Sequence, residues 1–169
     1  AKSEIVLGQM YAVGKAGEPL EPVMDSLEKA GKRGVKIRML LEHKMLRASD
    51  PATIERLKKI PNMQLHIVEF AKVKADGIIH AKYIVVDKKT AYVGSQNFDW
   101  RSLKHIHELG LKITQKEMVK NVQAIFDQDW IATQKAEKKQ KITALQKTPV
   151  HVKSGKNSYL VASPYAWNP

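Results

Sequence analysis

The chain has 169 residues, no cysteine and a formal charge of +12. That length suits one domain with a real core; the lack of cysteine excludes disulfides, thiolate metal sites and a thiol nucleophile, and is compatible with cytoplasm or periplasm. No run of ~18 apolar residues occurs, so no transmembrane helix is expected, and the excess charge points to an anionic partner, either nucleic acid or acidic lipid. Residues 132–169 hold seven lysines against one acid, so much of that excess lies in a tail that reads as solvated surface.

Ile5-Val6-Leu7 with Met10-Tyr11 reads as a first buried strand. Ala1-Lys2-Ser3 leads straight into it, so no signal peptide is expected within these residues. Gly14 to Gly17 lacks the Gly-Lys-Ser/Thr ending of a phosphate-binding loop and reads as a turn. Leu20, Val23, Met24, Leu27 and Ala30 recur at helical spacing, with Pro19 near the start and Gly31 after the end. Residues 35–41 are apolar enough for a central strand. Asp50-Pro51 opens a helix to about Ile60, Asp50 capping and Pro51 at the first position. Residues 63–70 form a further strand and 71–77 a basic loop. Residues 78–86 and 90–93 are strands joined by a turn at Asp87-Lys88-Lys89, and 109–113 is the next strand. Thr114-Gln115-Lys116-Glu117 reads as a capping box. It starts a helix with Met118, Val122, Ile125, Phe126 and Trp130 on one face, running to about Lys139. Residues 1–140 are therefore expected to form one α/β domain, a mixed β-sheet flanked by helices on both faces. Residues 141–169 are expected to be a linker followed by a short strand at 158–163.

Residues 80–97 carry the chemistry: His80-x-Lys82, Asp87, Gly94-Ser95 and Asn97. On a strand, His80 and Lys82 would point to the same face. An imidazole, an ammonium, a hydroxyl and a carboxamide are what a displacement at phosphorus asks for: a group to attack, and fixed donors for the charge on the non-bridging oxygens. His80-x-Lys82 alone would read as a half-exposed strand. All six positions together do not. His105-x-His107-Glu108 is too few ligands for a metal site, and the motif region lacks clustered carboxylates, so neither metal nor cofactor is expected.

The spacing H-x-K-x4-D-x6-G-S-x-N resembles the HKD signature of the phospholipase D superfamily. Residues 98–103 and Glu108-Leu109-Gly110 are similar to the branch with the lysosomal phospholipase-D-like exonucleases and the poxvirus relatives. The resemblance spans roughly residues 2–131 and implies a phospholipase D-like half. It implies that His80 attacks phosphorus to form a phospho-histidine, that Lys82 and Asn97 grip non-bridging oxygens with Ser95 as a further donor, and that Glu108 orients His80. Asp87, at the strand-end turn, is expected to hold that turn by hydrogen bonds. A second imidazole must protonate the leaving oxygen and then activate water, and this chain supplies one motif only. The second comes either from another copy or from a C-terminal half, the latter favoured because residues 159–169 resemble the start of a second repeat; the helix that normally precedes the first strand is also missing. Tyr11 (stacking or packing) and Lys72 and Lys74 (tracking a phosphate backbone, or a solvated loop) are the candidate substrate contacts. The expected substrate is single-stranded nucleic acid; a phospholipid headgroup at a membrane surface, or a non-enzymatic binding module, are the alternatives.

Overall fold

Strand alternation divides the apolar residues between two faces, and helices cover each. The computed structural model describes residues 1–140, so the expected linker and the strand at 158–163 lie outside the described residues. β1 (Glu4–Gln9), β3 (Lys36–Glu42) and β4 (Met63–Val68) are mutually parallel. β5 (Lys82–Val86) pairs antiparallel with β1, and β6 (Thr90–Gly94) and β8 (Gly110–Ile113) continue antiparallel. The six-stranded order is β4-β3-β1-β5-β6-β8, a mixed sheet. β2 (Ala12–Val13) and β7 (Phe98–Asp99) form a small parallel pair beside it.

Ile5, Leu7, Ile37, Met39 and Leu41 pack under α1 (Leu20–Lys32) and α2 (Pro51–Lys58). Val6, Leu40, Tyr83, Val85 and Ala91 face the other way, onto Val119, Val122, Phe126 and Trp130 of α3 (Lys116–Glu137). Each large apolar side chain so buried is worth about 1.5–3 kcal/mol. A one-residue slip of β1 or β3 would turn both sets outward, so the two layers fix the register that places the site.

Several element ends differ from expectation. β1 stops at Gln9, before Met10-Tyr11. Gly31 lies inside α1, where a Cβ would collide with the Pro61 carbonyl. Gly34 ends the helix instead, at φ +87°, with the Val35 N–H bonded back to the Ala30 carbonyl at 3.1 Å. α2 starts as expected, the Asp50 carboxylate accepting the Thr53 N–H at 2.8 Å, and ends at Lys58. β4 ends at Val68, and Phe70–Lys72 is a 3-10 turn. Gln115, not Thr114, caps α3: its side chain accepts the Met118 N–H at 2.6 Å. β5 begins only at Lys82, so residues 78–81 lie outside the sheet.

Candidate active site

The topology gathers the functional residues at one end of the sheet. β1, β3 and β6 finish there, while β5 and β8 begin there. Lys82 pairs with Gly94, and Gly94 with Gly110. The motif glycine has a local cause: a Cβ at Gly94 or at Gly110 would strike the Tyr92 hydroxyl, which itself bonds Gln96 Oε1.

Lys82 is buried on the sheet. Its Nζ lies 3.1 Å from Nδ1 and 3.3 Å from Nε2 of His80. The pair therefore meets as expected, although strand alternation is not what brings it together. An ammonium can only donate, so the ring nitrogen it approaches must be unprotonated. Partial desolvation of an otherwise exposed ring, and then the Lys82 charge, hold the His80 pKa below its ordinary value. Burial likewise lowers Lys82, against the opposing charge of Glu108.

The other motif residues divide. Asn97 Oδ1 is buried without a partner among the described residues. Ser95 is engaged with β8: its Oγ donates to the Leu109 carbonyl at 3.2 Å and accepts the Leu109 N–H at 3.0 Å. That bracing fixes the chain just after Glu108. The Glu108 carboxylate accepts no hydrogen bond from His80. Its charge acts on Lys82, Tyr11 and Tyr92.

Asp87 sits at the far end of β5, about 16 Å of extended chain away. It does not hold the turn itself. The turn is set by left-handed φ at Asp87 (53°) and Lys88 (54°) and closed by the Lys89 N–H on the Val86 carbonyl at 3.0 Å, a geometry that suits the hairpin twist. The carboxylate instead pins the first strand, accepting from the N–H groups of Lys2, Ser3 and Glu4 and from the Ser3 hydroxyl at 2.8–3.1 Å. Burial raises its pKa, but the Ser3, Glu4 and Lys2 N–H groups outweigh that and hold it well below the usual carboxylate range.

Tyr11 donates to Asp99 Oδ2 at 3.2 Å. Lys72, in the 3-10 turn, pairs with Glu69 at 2.6 Å, and Lys74 is exposed in the loop that follows. His105 stands edge-on to Trp100, centroids 5.4 Å apart; among the described residues, no three His, Cys, Asp or Glu side chains converge as metal ligands.

Three polar groups beside this end were not legible as site residues. Asp99 is fully buried and held by Arg101, whose Nη2 donates at 2.6 Å; the pair ties β7 to the loop leading to Glu108. Gln9, buried at the end of β1, has its Oε1 without a partner among the described residues. Glu42, buried at the end of β3, accepts the Ile79 N–H at 2.7 Å. The only sequence signal for the last two was a polar residue closing an apolar strand.

A mixed sheet covered by helices on both faces, with His80 against Lys82 at the end where β1 and β3 finish, is the architecture of a phospholipase D-like domain. The chain belongs to this family: the family model described as "Cardiolipin synthase, PLD-like domain" matches residues 1–130. It is 34% identical over 142 residues to phospholipase D Z of Dictyostelium discoideum, covering 78% of this chain and 33% of that protein. It is 32% identical over 114 residues to the 5'-3' exonuclease PLD3 of Xenopus tropicalis, covering 66% and 22%. The chain thus spans about a third or less of the length of these curated relatives. Among solved structures, NucT from Helicobacter pylori superposes with a TM-score of 0.65 at 16% identity, over 78% of this chain and 81% of that one, a likeness of fold.

Proposed function

We propose that this chain is one half of a metal-independent phosphodiesterase that works through a phospho-histidine, with single-stranded nucleic acid as its substrate. The observation that carries the reading is the His80–Lys82 contact, with the His80 pKa held down by partial desolvation and by that ammonium. A neutral imidazole at neutral pH has a lone pair to attack phosphorus. The P–N bond forms as the bond to the leaving oxygen breaks; a histidine from a second motif gives that oxygen its proton. The same histidine then takes a proton from water, whose oxygen displaces His80 and frees the phosphate. Lys82 and the amide NH2 of Asn97, both donors, are suited to the non-bridging oxygens. Glu108, unbonded to His80, is free to serve the incoming histidine, and Ser95 acts by bracing the chain that carries Glu108. Asp87 has no part in the chemistry. Tyr11 and Lys72 or Lys74 flank the substrate path; the second motif comes from a C-terminal half or a second copy.

Cleavage of a labelled single-stranded oligonucleotide in excess EDTA, with His80→Ala alongside, tests this. With the second motif supplied, cleavage by the wild type and not by the variant is expected; equal cleavage by the variant sinks the mechanism. A phospholipid headgroup is the second reading. It is favoured by exposed Leu103, Ile106, Leu109 and Leu111 around Glu108, with Leu109 78% and Leu111 69% accessible, an apolar rim able to meet a bilayer. Turnover of anionic vesicles without oligonucleotide cleavage would choose it.

A further inference from the structure

His80 is outside the sheet, so no ladder bond fixes the backbone that presents it. Its neighbour is tied elsewhere. The Ile79 N–H donates to Glu42 Oε2 at 2.7 Å, while Glu42 Oε1 accepts the Lys44 N–H at 3.1 Å. Lys44 Nζ in turn donates to the Gly77 carbonyl at 3.2 Å. One side chain at the end of β3 thus joins the His43–Ala48 turn to the segment before His80.

Glu42 is an unusual residue to find there. It is 0% exposed, and no Lys, Arg or His of the described residues forms an ion pair with it. A buried acid without a cation is costly unless its oxygens are filled by donors. Both are: each oxygen takes one backbone N–H. Glutamine could satisfy one, but would aim its NH2 group at the other. Leucine or valine would suit the apolar strand better and satisfy neither.

We propose that Glu42 is a positioning residue that clamps the backbone at Ile79 and so sets where the His80 imidazole meets Lys82. The proposal rests on His80 being the reacting group, as argued above. It makes the ring's place depend on β3, two strands away in the sheet order from β5.

Glu42→Gln keeps the size and removes one acceptor. Amide exchange at Ile79 and His80 is expected to quicken by about tenfold or more while β1 and β3 stay protected. The His80 ring, followed by NMR, is expected to titrate nearer its ordinary value as it loosens from Lys82. In a sample that cleaves oligonucleotide, kcat should fall by about 10- to 100-fold with KM within about twofold. Lys44→Ala, at an exposed position, removes only the Gly77 tie and should loosen the same segment more mildly; it decides the matter if Glu42→Gln does not fold. Unchanged exchange at residues 79–80, protection lost evenly across β1 and β3, or a loosened segment with unchanged kcat would each overturn the clamp. Should the wild type cleave no oligonucleotide, the substrate reading fails by itself, and exchange and ring titration still decide whether Glu42 holds His80.

Discussion

At one end of β5 the Asp87 carboxylate accepts from four donors and closes the chain's first residues onto a hairpin. At the other end Lys82 is buried against an imidazole, and Asn97 Oδ1 and Gln9 Oε1 are buried with no partner among the described residues. Both ends belong to one motif. The satisfied end behaves as architecture, because filled lone pairs leave nothing for a substrate. The unsatisfied end stores polar groups that the fold gains nothing from, which is the mark of a site.

Exchanging the damage between the ends is the strongest way to break this contrast. His80→Ala is expected to abolish cleavage, by about 10^4-fold or more, with stability within about 0.5 kcal/mol. Asp87→Ala is expected to do the reverse: a loss of about 2–3 kcal/mol in denaturant unfolding with kcat nearly intact. An Asp87 variant that stays stable and loses activity would place chemistry at the wrong end. Next in size, Lys82→Met should lower kcat by about 10^2–10^3-fold, read under saturating substrate.

The pH response sharpens the same contrast. The His80 pKa lies below its ordinary value of about 6.5, so the acid limb of kcat/KM should fall below that pH; a limb above it contradicts a neutral nucleophile. Asp87 has a folded pKa depressed below about 3.9. Its contribution is therefore complete above that value and is lost as pH drops through the folded one. Asp87→Asn should flatten stability across that acid window while leaving the rate profile near neutrality alone.

The sheet, its two covered faces and the meeting of His80 with Lys82 were legible because each rests on local pattern: alternation in β1 and β3, the helical stripe of α1, the Asp50 cap, and six identities at fixed spacing. Residues 78–81 read as strand because Ile78-Ile79 is apolar and β-branched, yet the Ile79 N–H goes to Glu42 and not to a neighbouring strand. Glu108 was placed on His80 by resemblance; its position is set by Ser95 holding Leu109, a contact no local pattern signals. Asp99 and Gln9 are buried only because β7 and β5 arrive from far along the chain. What escaped the sequence is thus the long-range polar contacts, which decide the site's geometry.

The middle of β5 offers the finest test. Tyr83, fully enclosed beneath α3, reaches Asp129 Oδ2 at 3.5 Å. Burial pushes the Asp129 carboxyl up to about 7, with the Tyr83 hydroxyl pulling it down. Because the folded value exceeds an unfolded value of about 3.9, the folded chain holds an extra proton between them. Stability is then lost as pH rises from about 4 to about 7 and is level above. Asp129→Asn cannot ionise, so wild type minus variant should decline across that window, by about 1–2 kcal/mol once relaxation around the charge is allowed for. His80 and Asp87 titrate equally in both proteins and cancel from the difference. A difference that ignores pH would mean that water reaches the middle of the strand. That water would lie on the α3 face of β5, opposite the face shared by Ile84 and Lys82, so the His80–Lys82 contact would stand unchanged.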